Sequence, residues 1–427
     1  MHLKKISLSY LLCGHILLIL ALMSLGCSQD LPEAPAPKEK VVVGYFIEWG
    51  IYGRAYDAQT SVPINMLTHL NYAFAQITPQ HRIALIDPYA DIEADLPGND
   101  PSLPFKGNFN QLVVLKKRNP SLKTLISVGG WTKSKNFSTM AKTEEGRRTF
   151  ASSCVNFIRT YQFDGVDLDW EYPGGGGMEG TDFDPQADKT NFTLLLKELR
   201  RQLDEAGQKD SKYYLLTAAT AAGMDKIAHL ELAKIGRYLN FINIMAYDMH
   251  MGFTQLTNHQ GPLYANPSNP EPDTSPLYLK SKGNIDAVVK AYVEGGFPRE
   301  KIVIGVPFYG RAWTLAGDGG QGPFQKATGE LPRGTWEAGC YDYDDVLKNL
   351  EGQFYFDEQA QAAYFIGIEK RGDKPVKVFI SLDNPQSLER KIAYVKQNGL
   401  AGLMFWELTC NRDNTLVATI WKGLKQN

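Results

Sequence analysis

From Val41 onward, short apolar runs alternate with amphipathic ones. Eight runs have strand length and near-continuous apolar character. They are Val41 to Ile47, a stretch within Asn65 to Ile77 (Leu67, Leu70, Tyr72, Phe74), Lys123 to Gly129, Phe163 to Glu171, Tyr213 to Ala219, Leu239 to Tyr247, Ile302 to Phe308 and Leu400 to Trp406. Between them, Asn110 to Arg118, Glu144 to Tyr161, Asn191 to Leu203, Ile285 to Gly295 and Pro385 to Gln397 place apolar residues three and four apart, which is helical spacing. Asn191, Asn284 and Asn384 are expected to cap their helices. Strands apolar on both faces and alternating with helices belong to a parallel sheet covered on both sides. The expected fold class is therefore α/β, a (β/α)8 TIM barrel. A doubly wound open sheet is the alternative, but its Gly-rich phosphate turn is not found here.

Two stretches break the alternation. Pro79 to Pro104 is rich in turn residues and acids. Ala312 to Lys377 carries strand-like pieces of its own, Gly334-Thr335-Trp336, Phe354-Tyr355-Phe356 and Ala363-Tyr364-Phe365. The second reads as a small α+β subdomain, residues 312–377, inserted between strands seven and eight of a barrel spanning 41–425. Long inserts of this kind usually serve function.

The N-terminus reads as a targeting segment, residues 1–27. Lys4 and Lys5 precede an apolar run from Ile6 to Leu25, and Met23-Ser24-Leu25-Gly26-Cys27 closes it. A small residue directly before a Cys resembles a bacterial lipoprotein box, with Cys27 as the lipidated residue; Ser24 departs from the usual aliphatic residue. Residues 28–40, with Pro32, Pro35 and Pro37, read as an extended linker. The folded part is expected to be exported, as a cell-envelope lipoprotein or a secreted protein, touching membrane only through this anchor.

Charge narrows the partners. The 427 residues hold 45 Lys and Arg against 47 Asp and Glu, a formal net charge of −2, so the chain lacks the basic field that nucleic acid requires. Past Cys13 and Cys27, the cysteines Cys154, Cys340 and Cys410 fit no metal motif, and Cys154 lies in an amphipathic run that suits packing.

The chemistry concentrates in Phe163-Asp164-Gly165-Val166-Asp167-Leu168-Asp169-Trp170-Glu171-Tyr172-Pro173. Alternate side chains of a strand share a face. Asp167, Asp169 and Glu171 then form one file, spaced roughly 6.6 Å apart, while Val166, Leu168 and Trp170 face the core. Three buried carboxyls in file cannot all ionise cheaply, so at least one holds a proton at neutral pH. The last, at the strand's C-terminal end, is placed to donate it. A solvated edge strand and a carboxylate metal site are the competing readings; no His pair or Asp-rich loop accompanies the acids.

Active sites of β/α barrels lie at the C-terminal ends of the strands. Those ends carry Tyr45 and Trp49, Phe74, Gly130 and Trp131, the acidic file with Tyr172, Met245 with Tyr247 and Asp248, Tyr309 with Arg311, and Trp406. Aromatic walls with a few aimed polar groups describe a ligand cleft.

Asp-x-x-Asp-x-Asp-x-Glu, filled by Asp164, Asp167, Asp169 and Glu171, resembles the signature of the family 18 glycoside hydrolases, the chitinases. Ser127-Val128-Gly129-Gly130-Trp131 and Met245-Ala246-Tyr247-Asp248 are similar to two further family signatures, and the resemblance runs from about Val41 to about Trp421. It implies hydrolysis of chitin or chito-oligosaccharides by a monomer without metal or cofactor. Glu171 would protonate the glycosidic oxygen. Asp169, backed by Asp167, would bind the substrate's N-acetyl group, with Tyr247 and Asp248 beside it. Trp406 would floor the reacting sugar's subsite, Tyr309 and Arg311 would line it, and Trp49, Trp131 and Phe253 would stack further sugars. Endo-β-N-acetylglucosaminidases of N-glycans or peptidoglycan-like chains use the same acids, and some members of the family bind chitin without cutting it. The insert favours chitin, and the presence of Glu171 favours catalysis.

Overall fold

The computed structural model describes residues 31–274, 279–317, 320–371 and 374–426. The targeting segment and Cys27 lie outside these residues. Fourteen strands occur among them. In chain order these are β1 (Val41–Ile47), β2 (His69–Ile77), β3 (Ile83–Leu85), β4 (Lys123–Gly129), β5 (Gly165–Asp169), β6 (Leu215–Ala221) and β7 (Phe241–Met245). There follow β8 (Ile302–Pro307), β9 (Tyr309–Thr314), β10 (Cys340–Asp342), β11 (Glu351–Asp357), β12 (Ala362–Arg371), β13 (Lys374–Ser381) and β14 (Gly402–Trp406).

Each of the eight apolar runs holds one barrel strand. The order is β1-β14-β8-β7-β6-β5-β4-β2, and β1 pairs with β2 as well, so the sheet closes on itself. All neighbours in this ring are parallel. The apolar character on both faces follows: one side packs on the helices, the other fills the lumen. Trp170 shows how the outer side is fixed. Its indole stacks on Phe137 at 5.2 Å and meets the edge of Phe192 at 5.8 Å. Burying that much aromatic surface is worth roughly 4–6 kcal/mol, and it forces the residues on either side, Asp169 and Glu171, to face the other way.

Helices begin and end close to the periodic stretches. Glu144–Tyr161 and Pro385–Gln397 match the reading. Asn284 and Asn384 cap their helices, the latter in a capping box with Ser387. Asn191 does not cap: its helix runs Asp188–Asp210, and Asn191 is buried inside it. The helix starts early because the buried Asp188 carboxylate accepts the Ser138 hydroxyl at 2.6 Å and the Gly174 and Asp184 N–H groups at 3.1 and 2.8 Å.

The insert is a five-stranded antiparallel sheet, β10-β9-β13-β12-β11. Its strands reach from Tyr309 to Ser381, beyond the 312–377 read from the sequence at both ends. Phe354 to Phe356 and Ala363 to Phe365 lie in β11 and β12. Gly334-Thr335-Trp336 is not a strand: Gly334 has φ +70° and its turn folds back onto Cys340. Within the stretch read as linker, Ala34 is buried. Its N–H donates to the Arg237 carbonyl at 2.8 Å, and the Pro35 carbonyl accepts from Asn240 Nδ2 at 3.0 Å.

Candidate active site

Register assembles the centre. Ser127 of β4, Asp167 of β5 and Thr217 of β6 are paired across the sheet at one height in the lumen. The fully buried Asp167 carboxylate accepts the Tyr45 and Ser127 hydroxyls at 2.7 and 2.8 Å, the Thr217 hydroxyl, and Asn243 Nδ2 at 3.4 Å. Burial raises its pKa and these four donors pull it back. Asp169, one step up the strand, has no such cage. It is buried, and its Oδ1 has no hydrogen-bond partner. Burial first, then the charges of Glu171 and Asp167, push its pKa well above the ordinary range. Burial and its two acidic neighbours thus disfavour the ionised form of Asp169 in the empty site.

Glu171 lies just beyond the end of β5, which is shorter than the Phe163 to Glu171 run because its pairing with β4 stops at Gly129 and Asp169. The Glu171 carboxyl is pushed up to about 7 by burial, with Asp248 adding to the rise and the Tyr172 hydroxyl opposing it. A carboxyl poised near neutrality can both give and take a proton. Gly129 and Gly130 let the neighbouring strand end approach this closely. Both have positive φ, and a Cβ on Gly129 would stand 2.2 Å from the Asp169 carbonyl oxygen.

Around the acids stand the other predicted groups. Tyr247 faces Asp169, Asp248, Glu171 and Asp167, and burial with those charges holds its hydroxyl protonated far above neutrality. Asp248 is gripped by Arg311 in a bidentate pair, Nε to Oδ1 and Nη2 to Oδ2, each 2.8 Å. Arg311 also reaches Glu337 at 2.9 Å and lies over the Tyr309 ring, 5.0 Å from its centroid. Trp406 lies across the lumen, stacked on Phe74 at 5.5 Å and 18° and touching Tyr45. Met245 packs against the small apolar cluster below it. Trp49, Trp131 and Phe253 are 41%, 50% and 66% exposed.

Several participants escaped the sequence reading. Thr217 and Asn243 cage Asp167, and their only signal was a polar residue inside an apolar strand. Trp336, in a strand-like piece of the sequence, is another. It is half-exposed on the insert, its indole N–H donating to Asp342 at 3.0 Å and its ring covered by Arg54 at 4.8 Å. Arg54 in turn pairs with Asp342 at 2.6 Å, tying the loop after β1 to the insert. Cys154, Cys340 and Cys410 are free thiols. Among the described residues, no cluster of three or more His, Cys, Asp or Glu could hold a metal ion.

Comparison with known proteins accords with this geometry. The profile of the Glycosyl hydrolases family 18 matches residues 41–411. The chain belongs to glycosyl hydrolase family 18. It is similar to chitinase A1 of Niallia circulans, 39% identical over 420 residues, covering 90% of this chain and 58% of the relative. It is also similar to chitinase 1 of Aphanocladium album, 35% identical over 390 residues, with 89% and 84% covered. This family 18 chain thus spans a little over half the length of the first relative and most of the second. A chitinase from Bacillus thuringiensis superposes with a TM-score of 0.81 at 36% identity, covering 91% of this chain and 70% of that one. The catalytic domain of the psychrophilic chitinase B from Arthrobacter TAD20 does so with a TM-score of 0.81 at 32% identity, covering 91% and 96%.

Proposed function

We infer that this family 18 protein is a chitinase that cuts β-1,4-linked N-acetylglucosamine chains with retention of configuration, using the substrate's own 2-acetamido group as nucleophile. The observation that carries this reading is the contrast between two neighbouring acids. Asp167 is saturated with donors, whereas the buried Asp169 Oδ1 is unpartnered. A buried polar atom without a partner is costly, and an amide N–H of the substrate supplies what it lacks.

The steps follow from the residues. The sugar being cleaved lies on Trp406. Asp169 accepts its acetamido N–H and Tyr247 orients the carbonyl. The carbonyl oxygen attacks C1 as Glu171 passes its proton to the departing glycosidic oxygen, leaving a cyclic oxazolinium ion. Water then adds at C1, giving a proton to the Glu171 carboxylate, and the ring reopens to the acetamide. No protein nucleophile is needed, and Glu171 is restored.

The apolar N-terminal run and Cys27 support export with a lipid anchor. Labelling with a radioactive fatty acid that persists in Cys27→Ala would refute the anchor. For the activity, purified protein is given N-acetylated chitohexaose and the products are separated. Wild type releases short oligomers. Glu171→Gln abolishes hydrolysis while hexaose still quenches tryptophan fluorescence. Undiminished turnover by the variant would remove Glu171 from its role. Release of N-glycan from a glycoprotein with no cutting of the hexaose would favour the endo-N-acetylglucosaminidase reading instead.

A further inference from the structure

Beyond Asp169, β5 has no ladder partner on the β4 side, so the backbone carrying Glu171 needs another support. Ser134 provides it. Its fully buried hydroxyl oxygen accepts the Glu171 N–H at 2.8 Å. The same oxygen stands 2.9 Å from the Gly130 carbonyl and 3.1 Å from the Asp169 carbonyl, and these two share its one proton. Gly130 N–H closes the ring by donating to the Asp169 carbonyl at 2.8 Å. One side chain thus links the turn after β4 to the peptide on either side of Trp170.

We propose that Ser134 is a positioning residue for the proton donor, setting where the Glu171 carboxyl stands relative to Asp169. The proposal rests on the chitinase reading above. Ser134 touches no substrate, since it lies behind the strand end with none of its surface open. Without its oxygen, the buried Glu171 N–H has no partner, and buried donors do not stay unpaired. The peptide regains a partner by moving towards water and carries the carboxyl with it. The aromatic platforms, which hold the rest of the sugar chain, are untouched. Chemistry then suffers and binding does not.

Such a movement also has an electrostatic signature. Asp169, Tyr172, Tyr247 and Asp248 are the titratable groups that act on Glu171, and none of them changes in a Ser134 variant. The rise in the Glu171 pKa comes first from burial, so a carboxyl that gains water titrates lower. The alkaline limb of the pH–rate profile, where the acid loses its proton, moves to lower pH.

The test compares wild type, Ser134→Ala and Ser134→Cys on a chromogenic chito-oligosaccharide across pH, with thermal melting to verify folding. Cysteine fills the space with a weaker hydrogen-bonding atom. In Ser134→Ala, kcat falls about tenfold or more, KM stays within about twofold, and the alkaline limb moves down. Ser134→Cys lies between the two, and decides by the same readouts if the alanine variant does not fold. Wild-type kcat and an unmoved limb in the variants overturn the proposal. So does a loss of rate that tracks only the loss of folded protein. If wild type itself cuts no chito-oligosaccharide, the chitinase reading falls and the proposal with it; turnover by wild type with unaffected variants sinks the proposal alone.

Discussion

A proton donor held at the edge of ionisation should weaken the fold that holds it. The Glu171 carboxyl titrates at about 7 rather than at 4.5. Each unit is worth ~1.4 kcal/mol, so ionising Glu171 in the folded protein costs about 3 kcal/mol more than ionising it in the unfolded chain. The folded-state value is the higher one, so the associated stability is complete below pH 4.5 and lost as pH rises through about 7. Glu171→Gln keeps the shape and removes the charge at every pH. Near pH 4.5 the two proteins should have similar stability. Near pH 8 the variant should be the more stable by about 3 kcal/mol. Removing the Glu171 charge also relieves Asp169, whose pKa it raises, and this acts in the same direction. Urea unfolding, followed by tryptophan fluorescence at several pH values, reads the difference directly. Two stability curves that run parallel from acid to alkaline pH would contradict the burial that raises Glu171. Such an outcome would also take away the physical reason for its protonation at neutral pH.

Tyr45→Phe removes one of the donors that hold Asp167 down. The acidic limb of the pH–rate profile should move up and kcat should fall about tenfold, with KM little changed. Arg311→Lys breaks the bidentate hold on Asp248. A kcat within about twofold of wild type would show that the pair does not order the site. Trp131→Ala and Phe253→Ala should raise KM for chitohexaose several-fold and leave the cleavage of a short chromogenic dimer nearly unchanged; equal effects on both substrates would refute their role as outer platforms. Asn384→Ala removes the cap and its reciprocal bond with Ser387, at a cost of about 1 kcal/mol in urea unfolding with no change in kcat.

The barrel was legible because its strands are apolar on both faces, a pattern few other folds need. The acidic file was legible because a period of two sorts Asp167, Asp169 and Glu171 from Val166, Leu168 and Trp170 without knowledge of the rest of the chain. What depended on contacts between distant segments was not. Thr217, Asn243 and Ser134 are ordinary residues in ordinary runs, and only the closing of the sheet brings them to the acids. Gly334-Thr335-Trp336 reads as strand-like, but the +70° φ at Gly334 turns the chain there. Residue type alone makes Asn191 a cap, whereas a buried carboxylate three residues earlier organises the helix start.

On the proposed mechanism the sugar supplies the attacking atom and Asp169 steadies it. Comparing turnover of fully N-acetylated chitohexaose with that of its fully deacetylated counterpart, at equal concentration and pH, tests it most directly. Cleavage of the acetylated chain alone is the predicted result. Comparable cleavage of the deacetylated chain would mean that a protein group or water attacks instead, and the account built on the unpartnered Asp169 oxygen would be wrong.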